Sequence, residues 1–434
     1  MIKRIFSVVI LSILTTIVSG CSINGSPEDL MRPPKLESNR EQVKVALQEY
    51  LPQNAKLVIP PSNDKPSAIK FLDLDGDGKR EAIIFYNLDL DENPLRALIL
   101  KNENKKWNNK GELKILGQDL DKVFFKDIDG DGGLDIIIGS KVRYSLSKNL
   151  NIYSFKNGNI DELLESTYEH LVVEDLNNDG LAETILLKSN KEQKQVRGEL
   201  YKYNQGKVEM MDEVNFENIS EINSIKEGYI GENTQGVVIS TTGIDKLLKI
   251  YILKAEDNSL VNVVEGGFIE SEKVPNIEYV LPQDIDKDGI MEFAIPKVQK
   301  RNDEQIENPT SWLTEWYSWD GDKSIVLKKI NYYDEISNFS FDFPLTWREN
   351  IIVTNSKKDT NIISDEEWIK VDYRDNSEKP KRYHLFTIYI YTDEGLKRKD
   401  HSKNKEEPVK ILEDIDKNYF IVLGDDIKKE KIKN

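Results

Sequence analysis

Short apolar runs recur along this chain: Ala82-Ile83-Ile84, Ile136-Ile137-Ile138, Thr184-Ile185-Leu186, Val237-Val238-Ile239 and Phe293-Ala294-Ile295. Each is too short for a helix. Further on stands a stretch that alternates apolar with polar residues, as in Leu150 to Phe155, Leu248 to Leu253 and Leu313 to Trp319, and then a polar turn such as Asn157-Gly158. Short runs and period-two alternation, punctuated by turn residues, predict β-strands. A period of roughly 40–50 residues holding about four strands predicts propeller-type blades and not a helical solenoid. Ahead of the repeats, Val43, Ala46, Leu47 and Tyr50 recur at helical spacing, so Asn39 to Tyr50 is expected to be a short helix ended by Pro52. The apolar stretch Lys56 to Ile59 is expected to be a strand that closes the array against the last unit.

Four of the five runs are preceded by the same nine-residue acidic loop: DLDGDGKRE from Asp73, DIDGDGGLD from Asp127, DLNNDGLAE from Asp175 and DIDKDGIME from Asp284. Side-chain oxygens stand at positions 1, 3, 5 and 9: Asp73, Asp75, Asp77 and Glu81; Asp127, Asp129, Asp131 and Asp135; Asp175, Asn177, Asp179 and Glu183; Asp284, Asp286, Asp288 and Glu292. Position 6 is glycine each time (Gly78, Gly132, Gly180, Gly289), which permits a positive-φ turn. That turn is expected to bring the carbonyl of the next residue inward, adding Lys79, Gly133, Leu181 and Ile290 to the ligand sets. All-oxygen ligation with several carboxylates suits a hard cation with a large, flexible shell, Ca²⁺ before Mg²⁺. The absence of Cys and His from every loop argues against zinc. An EF-hand needs a bidentate Glu at position 12, where this chain has Ile84, Ile138, Leu186 and Ile295. The fourth run follows Gly228 to Gly236, which has the place of a loop without its acids. The five units therefore start at 73, 127, 175, 228 and 284.

The four loops match the pattern D-x-[DN]-x-D-G-x-x-[DE]. Over roughly residues 55–335 the chain resembles the FG-GAP or VCBS repeats of integrin-type β-propellers and, more loosely, VCBS-repeat lipoproteins of Gram-positive bacteria. The resemblance implies a propeller with Ca²⁺ in loops between blade strands near one rim, and no site at 228–236. The expected fold is thus mainly β: a Ca²⁺-binding propeller of about five blades over residues 41–335, holding up to four structural Ca²⁺, then a small β-rich domain over 336–434. In that last part Phe339, Phe341 and Phe343 alternate up to Pro344, and Trp347, 351–353, 368–373, 384–391 and 419–423 add strand candidates. A Lys/Glu-rich insert occupies 396–408.

Residues 1–20 read as a secretory signal, with Lys3 and Arg4 ahead of an apolar stretch from Ile5 to Ile17. Val18-Ser19-Gly20-Cys21 resembles a lipobox, and Cys21 is the chain's single cysteine, which fits a lipid attachment point. Polar residues 21–40, with Gly and Pro, read as a tether. The expected location is extracytoplasmic, on the outer face of a bacterial cell membrane. The net charge is −17, or −19 without Lys3 and Arg4, which argues against nucleic acid and anionic headgroups as partners and for divalent cations.

Catalytic chemistry has little footing. His170, His384 and His401 are scattered, and the nucleophile-elbow, HExxH, P-loop and dinucleotide motifs are absent. Trp312, Trp316, Tyr317 and Trp319 crowd one strand but fall on both of its faces, which suits packing better than a sugar platform. The expected function is non-catalytic binding of an envelope protein or glycan. The alternative is a hydrolase acting on cell-wall glycan or an extracellular polymer, through a carboxylate pair outside the loops.

Overall fold

The structure, a computed structural model, describes residues 38–61, 66–88, 93–264, 266–271, 281–298, 312–334, 339–356, 366–393, 409–414 and 417–428. The signal segment, Cys21, most of the tether and the insert at 396–408 lie outside the described residues. Among the described residues no helix is long and apolar enough to cross a membrane.

The protein is mainly β, built from antiparallel sheets in chain order. A helix, α1 (Ser38–Tyr50), leads into the first sheet: β1 (Ala55–Leu57), β2 (Ile69–Leu72), β3 (Glu81–Leu88), β4 (Leu95–Glu103) and β5 (Lys106–Lys114). The second holds β6 (Asp119–Lys126), β7 (Asp135–Lys141), β8 (Lys148–Lys156) and β9 (Asn159–Tyr168). The third holds β10 (His170–Glu174), β11 (Glu183–Asn190), β12 (Gln195–Asn204) and β13 (Lys207–Glu217). The fourth holds β14 (Ile219–Gly231), β15 (Thr234–Gly243), β16 (Leu248–Glu256), β17 (Ser259–Asn262) and the short β18 (Ile269–Glu270). The fifth holds β19 (Phe293–Val298), β20 (Trp312–Trp319), β21 (Ile325–Asp334) and β22 (Phe339–Phe343). The sixth, in the order β23-β24-β25-β27-β26, holds β23 (Ile351–Asn355), β24 (Glu366–Arg374), β25 (Arg382–Thr392), β26 (Val409–Asp414) and β27 (Lys417–Leu423), and α2 (Asp425–Lys428) follows.

The apolar runs of the sequence are the strands that follow each loop, and they are apolar throughout because both of their faces are covered. Ile83, Ile136, Ile138 and Val237 are fully buried. Ile83, Phe85 and Ile99 of the first sheet pack with Ile136, Ile138 and Phe155 of the second. Ile137 and Ile152 pack with Val173 and Leu186 of the third. Ile185, Leu187 and Leu200 pack with Val237, Ile239 and Leu253 of the fourth. Ile250 and Ile252 pack with Phe293, Tyr317 and Trp319 of the fifth. Each fully buried Ile, Leu or Val side chain contributes roughly 1.5–3 kcal/mol relative to exposure.

The two ends of this stack are closed differently. Val43 and Ala46 of α1 pack on Ala82, Ile84, Tyr86, Leu98 and Trp107, the other face of the first sheet. At the far end Leu313, Ile330 and Tyr332 pack with Ile351, Val371, Ile388 and Tyr419 of the sixth sheet.

Three expectations are corrected. β1 does not reach the last unit: Ala55 to Leu57 pair with Leu88 to Tyr86 of β3, beside β2 on the same strand, so its hydrogen bonds are spent within the first sheet. Residues 339–343 do not belong to the last sheet: Phe343 and Phe341 pair with Ile330 and Tyr332, making β22 the outer strand of the fifth. Trp347 lies in a 3₁₀ turn, Leu345–Trp347. The aromatic stretch behaves as expected: Trp316, Tyr317 and Trp319 are buried, and the Trp316 and Trp319 indole N–H groups donate to Asn331 Oδ1 and to the carbonyl of Asp322.

Arg348, just past that turn, bonds both oxygens of buried Glu315, at 2.7 and 2.8 Å, and the Tyr317 hydroxyl at 2.6 Å. Burial works against the Glu315 charge, but Arg348 and Tyr317 outweigh it and hold the carboxyl below its usual range. Arg348→Ala is expected to cost about 1–2 kcal/mol at pH 7, discounted for the partial exposure of the arginine. A lowered folded pKa means that this contribution is present above the ordinary glutamate value and lost as pH falls through the folded one. Urea denaturation should therefore show the gap between wild type and variant closing below about pH 4; an equal gap at pH 3 and pH 7 would refute the assignment.

Candidate metal centres

The first three acidic loops join β2 to β3, β6 to β7 and β10 to β11, the fourth leads into β19, and all four are held by the same hydrogen bonds. The position-9 carboxylate accepts from the position-2 backbone N–H: Leu74 to Glu81 at 3.0 Å, Ile128 to Asp135 at 2.8 Å, Leu176 to Glu183 at 2.8 Å and Ile285 to Glu292 at 3.0 Å. The position-1 aspartate accepts from the glycine N–H at position 6: Gly78 to Asp73, Gly132 to Asp127, Gly180 to Asp175 and Gly289 to Asp284, at 2.9 to 3.1 Å. The position-5 aspartate accepts from position 7: Lys79 to Asp77, Gly133 to Asp131, Leu181 to Asp179 and Ile290 to Asp288, at 2.8 to 2.9 Å. The glycines have φ from +79° to +91°, and a Cβ at any of them would meet open space, so their role is conformational.

This places the predicted residues unequally. Carboxylates from positions 1, 3 and 9 converge within 4.8 Å in three loops: Asp73, Asp75 and Glu81; Asp127, Asp129 and Asp135; Asp284, Asp286 and Glu292. In the third loop Asn177 replaces one of these acids and bonds Asp179 Oδ2 at 2.8 Å. The position-5 acids lie outside these trios and are bound to backbone N–H groups and to lysines. Lys79, Gly133, Leu181 and Ile290 each donate the backbone N–H to the position-5 acid, and Lys79 Nζ also lies 3.5 Å from Asp77 Oδ2. The fourth unit has a tight turn at Glu232-Asn233 between β14 and β15, with no acidic loop.

The position-9 acids are almost wholly buried, and burial pushes Glu81, Glu183 and Glu292 up from their ordinary range. Asp135 is pushed up to about 7, by burial above all and by the neighbouring Asp129 charge. Five buried loop oxygens, Asp73 Oδ1, Asp75 Oδ1, Glu81 Oε1, Glu183 Oε1 and Glu292 Oε1, have no hydrogen-bond partner among the described residues. Converging, partly unsatisfied carboxylates of this kind fit a hard divalent cation, which would relieve both their repulsion and their desolvation.

The lysines beside these acids belong to no motif in the sequence. Lys101 Nζ contacts Asp75 Oδ2, Asp77 Oδ2 at 2.9 Å and Glu81 Oε1 at 3.3 Å. Lys202 Nζ lies 3.0 Å from Glu183 Oε1 and 3.6 Å from Asp179 Oδ2. Lys156 reaches Asp131 at 3.0 Å, and Lys328 reaches Asp288 at 2.9 Å and Asp286 at 3.5 Å. Their signal is cross-strand register, which becomes readable only once the strands are paired.

The loops also touch one another. Leu134 N–H donates to the carbonyl of Asp73 at 3.2 Å, Ala182 to that of Asp127 at 3.0 Å, and Met291 to that of Tyr229 at 2.8 Å, while Asn178 Nδ2 donates to the carbonyl of Asn233. They therefore run as a continuous row along one edge of the stack. Between the third loop and the fourth sheet lies an open cleft of about 680 Å³, lined by Asn177, Asp179, Lys202, Asn233, Lys254 and Asp257 among others.

One cluster outside the loops has the hydrogen-bond order of a catalytic triad: Asp372 Oδ1 to His384 Nδ1 at 3.0 Å and His384 Nε2 to Thr387 Oγ1 at 3.2 Å. Arg382 Nε also bonds Asp372, at 2.6 Å, and Thr387 is buried. The cluster neutralises a carboxylate buried in the sixth sheet. His170 is half-buried at the start of β10, and desolvation lowers its pKa; His401 lies outside the described residues.

No protein-family model matches this chain, and no curated protein matches it. Among solved structures it is similar to a hypothetical selenium-binding protein from Sulfolobus tokodaii, at 12% identity and a TM-score of 0.26, over 48% of this chain and 56% of that one. It is similar to the exotype rhamnogalacturonan lyase YesX at 10% identity and a TM-score of 0.26, over 66% of this chain and 75% of the lyase. The rhamnogalacturonan lyase YesW gives 13% identity and a TM-score of 0.28, over 76% of this chain and 75% of the other. Likenesses this slight carry no argument about activity.

Asp135→Asn separates the two roles of a position-9 acid. The amide oxygen keeps the bond from Ile128 N–H and removes a disfavoured buried charge. In chelator the variant should melt at or above the wild-type temperature, and in millimolar Ca²⁺ below it. Differential scanning calorimetry reads both; a variant less stable under both conditions would show that the charge itself holds the loop.

Proposed function

We propose that this chain is a lipid-anchored extracytoplasmic protein whose five consecutive sheets are blades of an FG-GAP/VCBS-type propeller stabilised by Ca²⁺, and that it binds an envelope protein or a glycan without catalysis. The observation that carries the reading is the acidic loop cast four times in one hydrogen-bond pattern, each with a buried carboxylate at position 9. The blades follow one another in the chain, with α1 packed on the first sheet and the sixth sheet on the fifth. Asp127, Asp129 and Asp135, and Asp284, Asp286 and Glu292, would hold the cation, and Asp73, Asp75 and Glu81 converge in the same way. Its contribution is to neutralise converging charge and fix the entry to the buried strand. The chain's own part is to present oxygens on a preformed turn.

The binding role is supported by the open polar cleft beside the third loop, whose amides, carboxylates and ammonium groups match sugar hydroxyls or a polar protein surface. The anchor rests on the lipobox-like residues ending at Cys21.

A cation that binds only the folded state adds roughly 2.7 kcal/mol per site at a hundredfold excess over Kd. Melting temperature should therefore rise with Ca²⁺ and fall with EGTA; identical values under both conditions would end the structural-calcium reading. In a bacterial host, wild-type protein should fractionate with membranes and label with palmitate, and Cys21→Ala should do neither. Photo-crosslinking from the cleft at the cell surface should capture an envelope protein or glycan. Turnover of cell-wall glycan or an extracellular polymer, abolished by a carboxylate variant outside the loops, would instead establish the hydrolase.

A further inference from the structure

The four loops look alike in sequence, and their surroundings divide them into two pairs. In the first sheet Ala82 faces Leu100, so the next residues along the ladder are Glu81 and Lys101. In the third, Thr184 faces Tyr201, which brings Lys202 beside Glu183. In the second, Ile136 faces Tyr153, and the residue beside Asp135 is Ser154. In the fifth, Phe293 faces Tyr317, and the residue beside Glu292 is Ser318. The strand that flanks the loop thus offers lysine to two of the buried acids and serine to the other two.

The contacts follow this register. Lys101 and Lys202 reach the buried carboxylates themselves, Glu81 and Glu183. The lysines of the other two units, Lys156 and Lys328, come from further out and reach only Asp131, and Asp286 with Asp288. Asp135 and Glu292 have no ammonium within ion-pair distance among the described residues; Glu81 Oε1, Glu183 Oε1 and Glu292 Oε1 all lack a hydrogen bond there, and only the first two have an ammonium beside them. In the second loop Ser154 Oγ donates to Asp129 Oδ2 at 3.1 Å, a neutral contact.

Lys101 is itself largely buried. Its ammonium sits among three carboxylates of the loop and bonds Asp75 and Asp77. It takes one oxygen from each of Asp75, Asp77 and Glu81, carboxylates that a divalent cation in this loop would need. The ammonium and the metal therefore compete for the same ligands, and the tethered one is always present.

We propose that the first and third loops carry a built-in cation, the ammonium groups of Lys101 and Lys202, in place of a metal, and that the second and fifth units are the Ca²⁺ sites. This rests on the reading of the loops as cation sites. In the third unit Asn177 in place of an acid weakens the case for a metal further. The first loop keeps all four of its acids, and Asp73 Oδ1 and Asp75 Oδ1 remain without hydrogen-bond partners, so it should become a metal site once the ammonium is removed.

Isothermal titration of chelator-treated full-length protein with CaCl₂ is the test. Wild type should take up two tight equivalents, one lost in Asp129→Ala and the other in Asp286→Ala. Lys101→Met should gain a third, at least tenfold tighter than any first-loop binding in wild type. Ser154→Lys should weaken the second-loop site at least tenfold. Thermal unfolding of each variant, with and without Ca²⁺, guards against misfolding; if Lys101→Met does not fold, Ser154→Lys decides. Four equivalent sites in wild type, or a stoichiometry of two that neither lysine exchange alters, would overturn the proposal while leaving the loops as cation sites. No uptake by wild type or any variant would overturn both readings.

Discussion

Each repeat turns on one carboxylate. The acid at position 9 is the first residue of the strand, or stands just ahead of it in the fifth unit, and its side chain bends back to accept the N–H of position 2. That single contact fixes where the loop closes and where the strand begins. It also seats the apolar position-2 side chain: Leu74, Ile128 and Leu176 are all buried in the packing between neighbouring sheets. A buried carboxylate is a costly way to close a turn unless its charge is answered. The rest of each loop reads as that answer, through backbone N–H groups, a lysine, or a coordinated cation.

The answer differs from unit to unit because the repeats have drifted while the backbone has not. The fourth unit drops the loop for a tight turn at Glu232-Asn233, yet Val237 and Ile239 still pack against Ile185 and Leu187 of the third sheet. Packing between sheets is therefore independent of the loop chemistry. The stack depends on apolar strands covered on both faces, and the loops act on the edge where neighbouring units meet.

Much of this was legible in the sequence. The period, the apolar runs and the glycine at position 6 identified the strands and the turns between them, and the missing acids after Gly228 marked a unit that the structure contains. The helix at Ser38–Tyr50 followed from four residues at helical spacing. What escaped was decided by partners distant in the chain. Lys56 to Ile59 has strand character, and nothing local says that it will share β3 with Ile69–Leu72. Phe339 to Phe343 alternates like any edge strand, and only its pairing with β21 assigns it to the fifth sheet. Lys101 and Lys202 read as ordinary surface lysines until the ladder sets them beside Glu81 and Glu183. An alternating pattern tells which face is covered, but not by what.

The capping of the first sheet has a mechanical side. The residues ahead of Ser38 enter the fold through α1, and α1 grips the first sheet by side-chain contacts around Val43 and Ala46, with a peripheral ion pair between Glu49 and Lys106, and not by a strand ladder. Tension applied at the amino end would therefore load a slip-prone apolar contact before any row of hydrogen bonds. The helix would peel away first and bare Ala82, Ile84 and Tyr86, while the five sheets behind stayed folded. A chain hung from its N-terminus would thus have a weak link at its point of suspension, one that opens a fresh apolar face under strain.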